Sequence, residues 1–188
     1  SEEYRALRNT RSLPVLQQAR HSKEVLQSDH WPARSSKYWN EALETQSRDE
    51  LEAQQLKDLK EIVQFAYDNA PYYKRSFDAA GVKPSDIKTL KDIEKFPFIN
   101  KKTQRETQGV GSFLGELCAV PEDEVVFIST SSGSTGVPTI SPFTAKDFDE
   151  FQDTEARWFW QVGVRPQDRY VHALNFSLYV GGPDVIGA

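Results

Sequence analysis

The stretch that organises this chain is Ser129-Thr130-Ser131-Ser132-Gly133-Ser134-Thr135-Gly136-Val137-Pro138-Thr139. It is dense in hydroxyl side chains, carries two glycines and directly follows a β-branched and aromatic run at 124–128. Glycine lets backbone N–H groups turn inward and the hydroxyls add donors, so such a loop can hold anionic phosphate oxygens. It is not a Walker A loop, because Val137 follows the last glycine where that motif needs lysine. A flexible Ser/Gly connector is the alternative, and Pro138 and the flanking strand-like runs disfavour it.

The segments on either side of this loop predict strands and a helix. The run 124–129 predicts a largely buried strand, and 139–143 predicts a short strand that Pro142 restricts to an edge or an end. Thr144 and Asp147 predict the start of a long helix that ends near Gly163, and 168–174 predicts a further strand before a Gly181-Gly182 turn. The helix has helically spaced apolar positions, namely Phe148, Phe151, Trp158, Phe159 and Val162. The order strand, helix, strand predicts a βαβ-like unit and an α/β fold.

The part of the chain before residue 124 predicts helices. Residues 1–46 are interpreted as an N-terminal arm, 47–123 as a helical region and 124–188 as the start of an α/β sheet, together one incomplete domain. Ser47 and Glu50 form a capping-box pattern, and Pro71 ends the helix that follows. This helix has an apolar stripe consisting of Leu56, Leu59, Ile62, Val63, Ala66 and Tyr67. Further short helices are expected at 72–80, closed by Gly81, after Thr89 and after Asn100.

Composition excludes several function classes. Of 188 residues, 38% are hydrophobic and 12% aromatic, which argues against disorder. The net charge is -5 and no long basic stripe is present, so neither nucleic acid nor an anionic membrane is expected as a partner. No signal peptide or run of 18 apolar residues is found, and the single cysteine, Cys118, suggests a reducing cytoplasmic setting. The lack of methionine suggests a processed or partial chain.

Beyond the loop, several motifs give the sequence a family resemblance. The segment 131–139 resembles the phosphate-binding motif of the adenylate-forming enzymes, and among them the chain resembles phenylacetate-CoA ligases. Other stretches occur in that family's order: Tyr38-Trp39-Asn40, 66–73 with 77–82, 92–98, and 175–182. The fold expected from this resemblance is a helical N-terminal region leading into the incomplete sheet of the large N-terminal domain of an adenylate-forming enzyme.

The resemblance implies a two-step ligase that uses ATP, Mg²⁺ and CoA. A carboxylic acid would attack the α-phosphate of ATP to give an acyl-adenylate and pyrophosphate, and CoA would then displace AMP. The resemblance assigns the β- and γ-phosphates to the loop and has Thr139 brace it; its implied phosphate contacts are Ser131, Ser132, Gly133, Ser134, Thr135 and Gly136. It assigns Phe176 and Tyr179, with Gly181 and Gly182, to the acyl pocket. His172 is interpreted as a packed or hydrogen-bonded histidine rather than a base, and Cys118 as a buried small side chain rather than a reactive thiol.

Two departures from the family pattern leave alternatives open. The family usually has lysine where Val137 stands, which removes one cation from the phosphate site. The chain also ends before the family's adenine-binding, metal-binding and catalytic-lysine segments, so catalytic residues and a metal site are expected beyond residue 188. The chain alone is therefore expected to be inactive. A non-catalytic ligase-derived binding module, and an acyl-activating enzyme with an acceptor other than CoA, are the alternatives; a homodimer is possible, and the acid is undetermined.

Overall fold

The computed structural model describes residues 32–131, 138–173 and 181. In these ranges a helical region leads into a two-stranded antiparallel sheet, and one long helix follows the sheet. The predicted helical region that runs into a sheet is confirmed. The predicted divisions at 46/47 and 123/124 stay predictions.

The first helices begin and end where the capping signals lie. Helix α1 spans Glu41–Glu44, and α2 spans Arg48–Asn69. Ser47 and Glu50 make the predicted capping box at the start of α2, with the Glu50 carboxylate accepting from the Ser47 N–H at 2.8 Å. Helix α3 spans Pro71–Ala80, and Gly81 ends it with a φ of 70°, a left-handed conformation that glycine adopts without penalty.

Short helical turns connect α3 to the sheet. One-turn 3₁₀ helices span Pro84–Asp86 and Glu122–Glu124, and a longer one spans Leu90–Lys95. Helix α4 spans Lys101–Thr107. Asn100 caps α4 as predicted, because its side-chain oxygen accepts from the N–H groups of Lys102 and Thr103.

The hydrophobic core of the helical region lies between α2, α3 and the 3₁₀ segments. Its buried members are Val63, Phe77, Ile87 and Phe96, with Leu56, Leu59, Tyr67, Tyr73 and Val82 partly buried around them. The prediction of the α2 stripe is wrong for Ile62, whose exposed fraction is 58%. Adjacent helical residues point about 100° apart, so with Val63 facing the core Ile62 is turned toward solvent.

Strands β1 (Val125–Thr130) and β2 (Ile140–Thr144) form a hairpin. Residues 131–139 connect the two strands and are called the hydroxyl-rich loop. Phe127 pairs with Phe143, and Thr130 pairs with Ile140. Pro142 lies on β2, which has β1 as its single neighbour among the described strands. The missing N–H of Pro142 is on the open side of β2, so no hydrogen bond between the two strands is lost. Both predicted strands are present, but the prediction that the first is largely buried is wrong: within β1 only Ser129 is buried, and Val126 is 62% exposed, because the two-stranded sheet leaves much of β1 uncovered.

Helix α5 (Ala145–Gln161) packs its first half on the hairpin. The helix begins where Thr144 and Asp147 predicted it, and these two residues form a capping box there. The ring of Phe148 lies 5.2 Å from that of Phe127, and the ring of Phe151 lies 5.9 Å from that of Phe143. These aromatic contacts fix the direction in which the chain leaves β2.

The second half of α5 packs on residues 34–39, defined here as the docked segment. Trp160 is buried, its Nε1 donates to the Ser36 carbonyl at 3.1 Å, and its ring lies 5.6 Å from that of Trp39. The Arg165 guanidinium stacks over the Trp160 ring at 3.9 Å. The predicted apolar stripe is wrong for Trp158 and Val162, which are 54% and 59% exposed, because this part of the chain faces the docked segment through Trp160.

The predicted βαβ unit is not present in the described residues. The sheet there is antiparallel, and the strand expected at 168–174 is irregular at 168–173, while Leu174 lies outside the described ranges. A strand needs a ladder partner, and β1 and β2 pair with each other instead. The Asp168 carboxylate accepts from the Arg165 N–H at 2.8 Å and closes a turn there.

None of the described helices is both long and apolar enough to cross a membrane.

Candidate functional site

The two ends of the hydroxyl-rich loop are joined by three hydrogen bonds between Ser131 and Thr139. The Ser131 N–H donates to the Thr139 carbonyl at 3.0 Å. In return, the N–H and the Oγ1 of Thr139 both donate to Ser131 Oγ at 3.0 Å. A hydroxyl has one donor and two lone pairs, so these two bonds leave the Ser131 proton as its remaining hydrogen-bonding capacity.

Strand β1 ends just before Ser131. Ser129 is 1% exposed and Thr139 is 6% exposed, whereas Ser131 is half-buried. Buried polar groups have a lower cost when they are hydrogen-bonded, and the Ser131–Thr139 contacts supply such bonds. The bracing role of Thr139 stays a prediction.

A residue that sequence reasoning missed, Gln108, holds the same base from the other side. Its Nε2 donates to the Pro138 carbonyl at 3.1 Å, and its Oε1 accepts from the Ile140 N–H at 2.8 Å. Gln108 follows helix α4 and lies 30 positions before Pro138, at the far end of the loop. A glutamine before Gly109 is an ordinary end to a helix, so no local pattern marks it.

The segment that carries Gln108 is fastened to helix α3. The Glu116 N–H donates to the Thr107 carbonyl at 3.2 Å, and the Glu116 carbonyl accepts from the Tyr72 N–H at 3.2 Å. Both nitrogens of the Arg75 fork contact the Glu116 carboxylate, at 2.7 and 2.8 Å. Hydrogen bonding to Arg75 lowers the pKa of the Glu116 carboxyl below its ordinary value.

A cleft of about 240 Å³ lies beside the start of β2. It is lined by the described residues Tyr73, Ile99, Gln104, Thr107, Gln108, Leu114, Leu117, Cys118, Ile140, Ser141 and Pro142. Burial raises the pKa of the Tyr73 phenol, so Tyr73 stays neutral at physiological pH. The Cys118 Sγ donates to the Val120 carbonyl at 3.4 Å, and the side chain is half-buried, so the prediction of a buried cysteine is wrong in extent.

The structure brings together only part of the predicted site. Ser131 and Thr139 lie together, whereas Ser132, Gly133, Ser134, Thr135, Gly136 and Val137 lie outside the described residues. Of the predicted acyl-pocket residues, Gly181 lies in a turn, and Phe176, Tyr179 and Gly182 lie outside the described residues. The His172 Nδ1 lies 3.3 Å from the Tyr170 hydroxyl, consistent with a hydrogen-bonded histidine.

Within the described ranges, no group of three or more His, Cys, Asp or Glu side chains is arranged to hold a metal ion.

Comparison with known sequences identifies relatives that are named CoA ligases. No protein-family model matches the chain. The chain is 42% identical over 142 residues to phenylacetate-coenzyme A ligase from Aromatoleum evansii, which is 76% of this chain and 31% of that protein. It is 41% identical over 140 residues to the protein of the same name from Escherichia coli strain K12, covering 74% and 31%. The chain therefore spans about a third of the length of the curated relatives it matches.

Solved structures agree with the sequence comparison. A crystal structure of 2-hydroxyisobutyryl-CoA ligase with 2-HIB-AMP, in the postadenylation state, has a TM-score of 0.78 and 31% identity, covering 85% of this chain and 33% of that one. A second, with 2-HIB-AMP and CoA in the thioesterification state, has a TM-score of 0.79 and 32% identity, covering 85% and 34%. The likeness therefore extends to the fold.

Proposed function

Because the chain belongs to the adenylate-forming acyl- and aryl-CoA ligases, we propose that it is part of an ATP-dependent acid–CoA ligase. In the proposed first step a carboxylate oxygen bonds to the α-phosphorus of ATP, and the bond from that phosphorus to the bridging oxygen breaks. Pyrophosphate leaves with the negative charge. In the second step the CoA sulfur loses its proton to solvent and bonds to the acyl carbon, the bond from that carbon to the phosphate oxygen breaks, and AMP leaves.

The observation that carries this proposal is the braced base of the hydroxyl-rich loop. A loop that binds the β- and γ-phosphates must present its donors in a fixed arrangement, because donors that are already oriented stabilise developing charge without reorganising. The Ser131–Thr139 contacts and the Gln108 amide hold both ends of the loop in this way. We assign phosphate contacts to Ser131, Ser132, Gly133, Ser134, Thr135 and Gly136, and the bracing role to Thr139.

Val137 leaves this loop without the lysine that the family usually has. The phosphate charge would then be met by backbone N–H groups, hydroxyls and the Mg²⁺ that accompanies ATP, which neutralises phosphate oxygens when bound. We propose no ligand to Mg²⁺ from this chain.

Phenylacetate or a related aryl acid is the substrate class that we propose. The names of the curated relatives support it, and Phe176 and Tyr179 supply flat rings suited to lining an aryl pocket. The solved relatives carry the adenylate of a small non-aromatic acid, so the choice of acid has to be tested. We also propose that the 188-residue chain alone does not catalyse the ligase reaction, since it spans about a third of the length of its relatives.

The proposal is tested with the longest polypeptide that the gene encodes. We expect ATP–pyrophosphate exchange that depends on an acid, fastest with phenylacetate among phenylacetate, benzoate, 2-hydroxyisobutyrate and octanoate. Adding CoA should yield the thioester, identified by mass, whereas a different acceptor would leave the adenylate to accumulate. The 188-residue chain, assayed in parallel, should give no exchange. Absence of exchange with every acid would contradict the ligase assignment and favour a non-catalytic binding module.

A further inference from the structure

On both sides of Thr139, the backbone groups that face away from β1 lie on a sheet edge. They need a hydrogen-bond partner from a side chain, because no third strand is described there. Along an extended strand, successive residues direct their backbone groups to opposite sides. The N–H and C=O of Thr139 face Ser131 at the end of β1. The Pro138 carbonyl and the Ile140 N–H therefore face away from β1, where the described sheet has no third strand. Backbone groups that lack a partner beside a buried site are costly.

The Gln108 side chain covers this edge. Its amide donates to the Pro138 carbonyl at 3.1 Å and accepts from the Ile140 N–H at 2.8 Å. A primary amide has the same donor and acceptor as a peptide group, so Gln108 substitutes for one residue of a third strand. Asparagine has the same groups, but it is one methylene shorter.

The backbone of Gln108 is itself held in place. Its N–H donates to the Gln104 carbonyl at 3.0 Å, which makes it the closing residue of α4. The preceding residue, Thr107, is buried, and its carbonyl accepts from the Glu116 N–H. The amide therefore extends from a fixed point instead of from a mobile loop.

From these contacts we propose that Gln108 is a positioning residue for nucleotide binding, an inference that rests on the proposed ligase function. By fixing the peptide groups on both sides of Thr139, Gln108 sets the direction of the Thr139 hydroxyl and, through it, of Ser131 Oγ. Loss of the amide lets this stretch rotate, so the site loses its arrangement for phosphate while the acid-binding and CoA-binding parts are untouched.

The test replaces Gln108 by methionine, which keeps length and volume but removes both hydrogen bonds. In the longest gene product we expect the KM for ATP in pyrophosphate exchange to rise about tenfold, as expected for two lost hydrogen bonds, with the KM for the acid changed less than about twofold. Gln108→Glu keeps the acceptor for the Ile140 N–H but turns a carboxylate oxygen toward the Pro138 carbonyl and adds a negative charge beside the proposed phosphate site, so its KM for ATP should rise at least as much as that of Q108M. The matched control is Gln64→Met, because Gln64 is exposed on α2 and its amide contacts Asp68 one turn along the same helix.

A second readout is independent of activity. Hydrogen exchange at the Ile140 amide should be faster in Q108M than in the wild type and unchanged in Q64M. A wild type that exchanges pyrophosphate and a folded Q108M with unaltered KM for ATP and unaltered Ile140 protection would overturn the positioning role. A lower melting temperature with KM unchanged would also overturn it, since this is the result of a purely structural contact. A wild type without pyrophosphate exchange, in which Ile140 still loses protection in Q108M, would overturn the ligase proposal and with it the nucleotide role of Gln108.

Discussion

At the scale of single residues, Gly115 leaves the least room for a side chain among the glycines that the structure describes with their surroundings. Its φ is 79°, and a Cβ built there would lie 2.4 Å from the Thr107 carbonyl oxygen. This oxygen belongs to the backbone and accepts from the Glu116 N–H, so it has no freedom to move aside.

We therefore expect Gly115→Ala to destabilise the chain by more than Gly109→Ala. Gly109 has nearly the same φ, 77°, but nothing lies within 4 Å of its Cβ position. The control should lose about 1 kcal/mol from the positive φ alone, and Gly115→Ala should lose about 1 to 3 kcal/mol more from the added clash. Urea denaturation of the two variants checks this. Equal losses would mean that the contact with Thr107 relaxes without cost.

Thr139→Val tests the hydroxyl that braces the loop. Valine keeps the shape of the side chain and the backbone bonds but removes the contact between Oγ1 and Ser131 Oγ. In the longest gene product we expect the KM for ATP to rise by about three- to tenfold, the effect of one lost hydrogen bond. Thr154→Val on the exposed face of α5 is the control, since that hydroxyl donates to the Glu150 carbonyl of its own helix. Equal KM values in both variants would remove Thr139 from the proposed site.

At the scale of residues, contacts of the candidate site within one motif could be predicted from the sequence, whereas a contact supplied by another element could not. Ser131 and Thr139 lie at the two ends of one recognisable motif, and the structure joins them directly. Gln108 reaches the same place through tertiary folding from about thirty positions away, and its side chain resembles any other helix-ending glutamine. Sequence patterns report neighbours along the chain, so a partner supplied by another element escapes them.

At the scale of elements, α5 is held by different partners at its two ends. Its first half packs aromatic rings on the hairpin, and its second half packs Trp160 on the docked segment. The capping box at Ser47 and the helix start at Thr144 were predicted from short local patterns and are confirmed, because such bonds are local. The choice of Trp160 over Trp158 as the buried face was not predictable, because the two tryptophans lie only two positions apart and the docked segment is remote in sequence.

Trp160→Phe is expected to loosen the docked segment. The substitution keeps an aromatic ring under Arg165 but removes the bond from Nε1 to the Ser36 carbonyl, with an expected cost of about 1 kcal/mol. Trp158→Phe, at a half-exposed position, should stay within about 0.5 kcal/mol of the wild type. Urea midpoints give the stabilities, and trypsin cleavage after Arg34 and Lys37 should become faster in W160F alone. Cleavage at the same rate in both variants would show that Trp160 does not hold the segment.

At the scale of the whole molecule, the pair Arg75–Glu116 links helix α3 to the segment that precedes the sheet. The pKa of Glu116 is lowered in the folded chain, so this pair contributes stability above the unfolded-state pKa of about 4.3. That contribution is lost as the pH falls through the lowered folded-state value.

Glu116→Gln should therefore reduce the urea midpoint at pH 7, and the difference from the wild type should shrink as the pH falls below about 4.3. Added salt should also reduce the difference in urea midpoint between the two proteins, because the Arg75 side chain is 58% exposed and its charge is screened. Glu61→Gln on the exposed face of α2 serves as the control. A difference that persists unchanged down to pH 2 would show that the charge of Glu116 is not what stabilises the fold.

The docked segment is synthesised well before the helix that it contacts. Trp39 donates to Asp153, which lies 114 residues later. At a synthesis rate of 5 to 20 residues per second, these 114 residues take roughly 6 to 23 s to be added. Throughout that interval the nascent chain presents Tyr38 and Trp39 without their helical partner. The aromatic surface that finally secures α5 is thus, earlier in the life of each molecule, a stretch that ribosome-associated chaperones have time to bind.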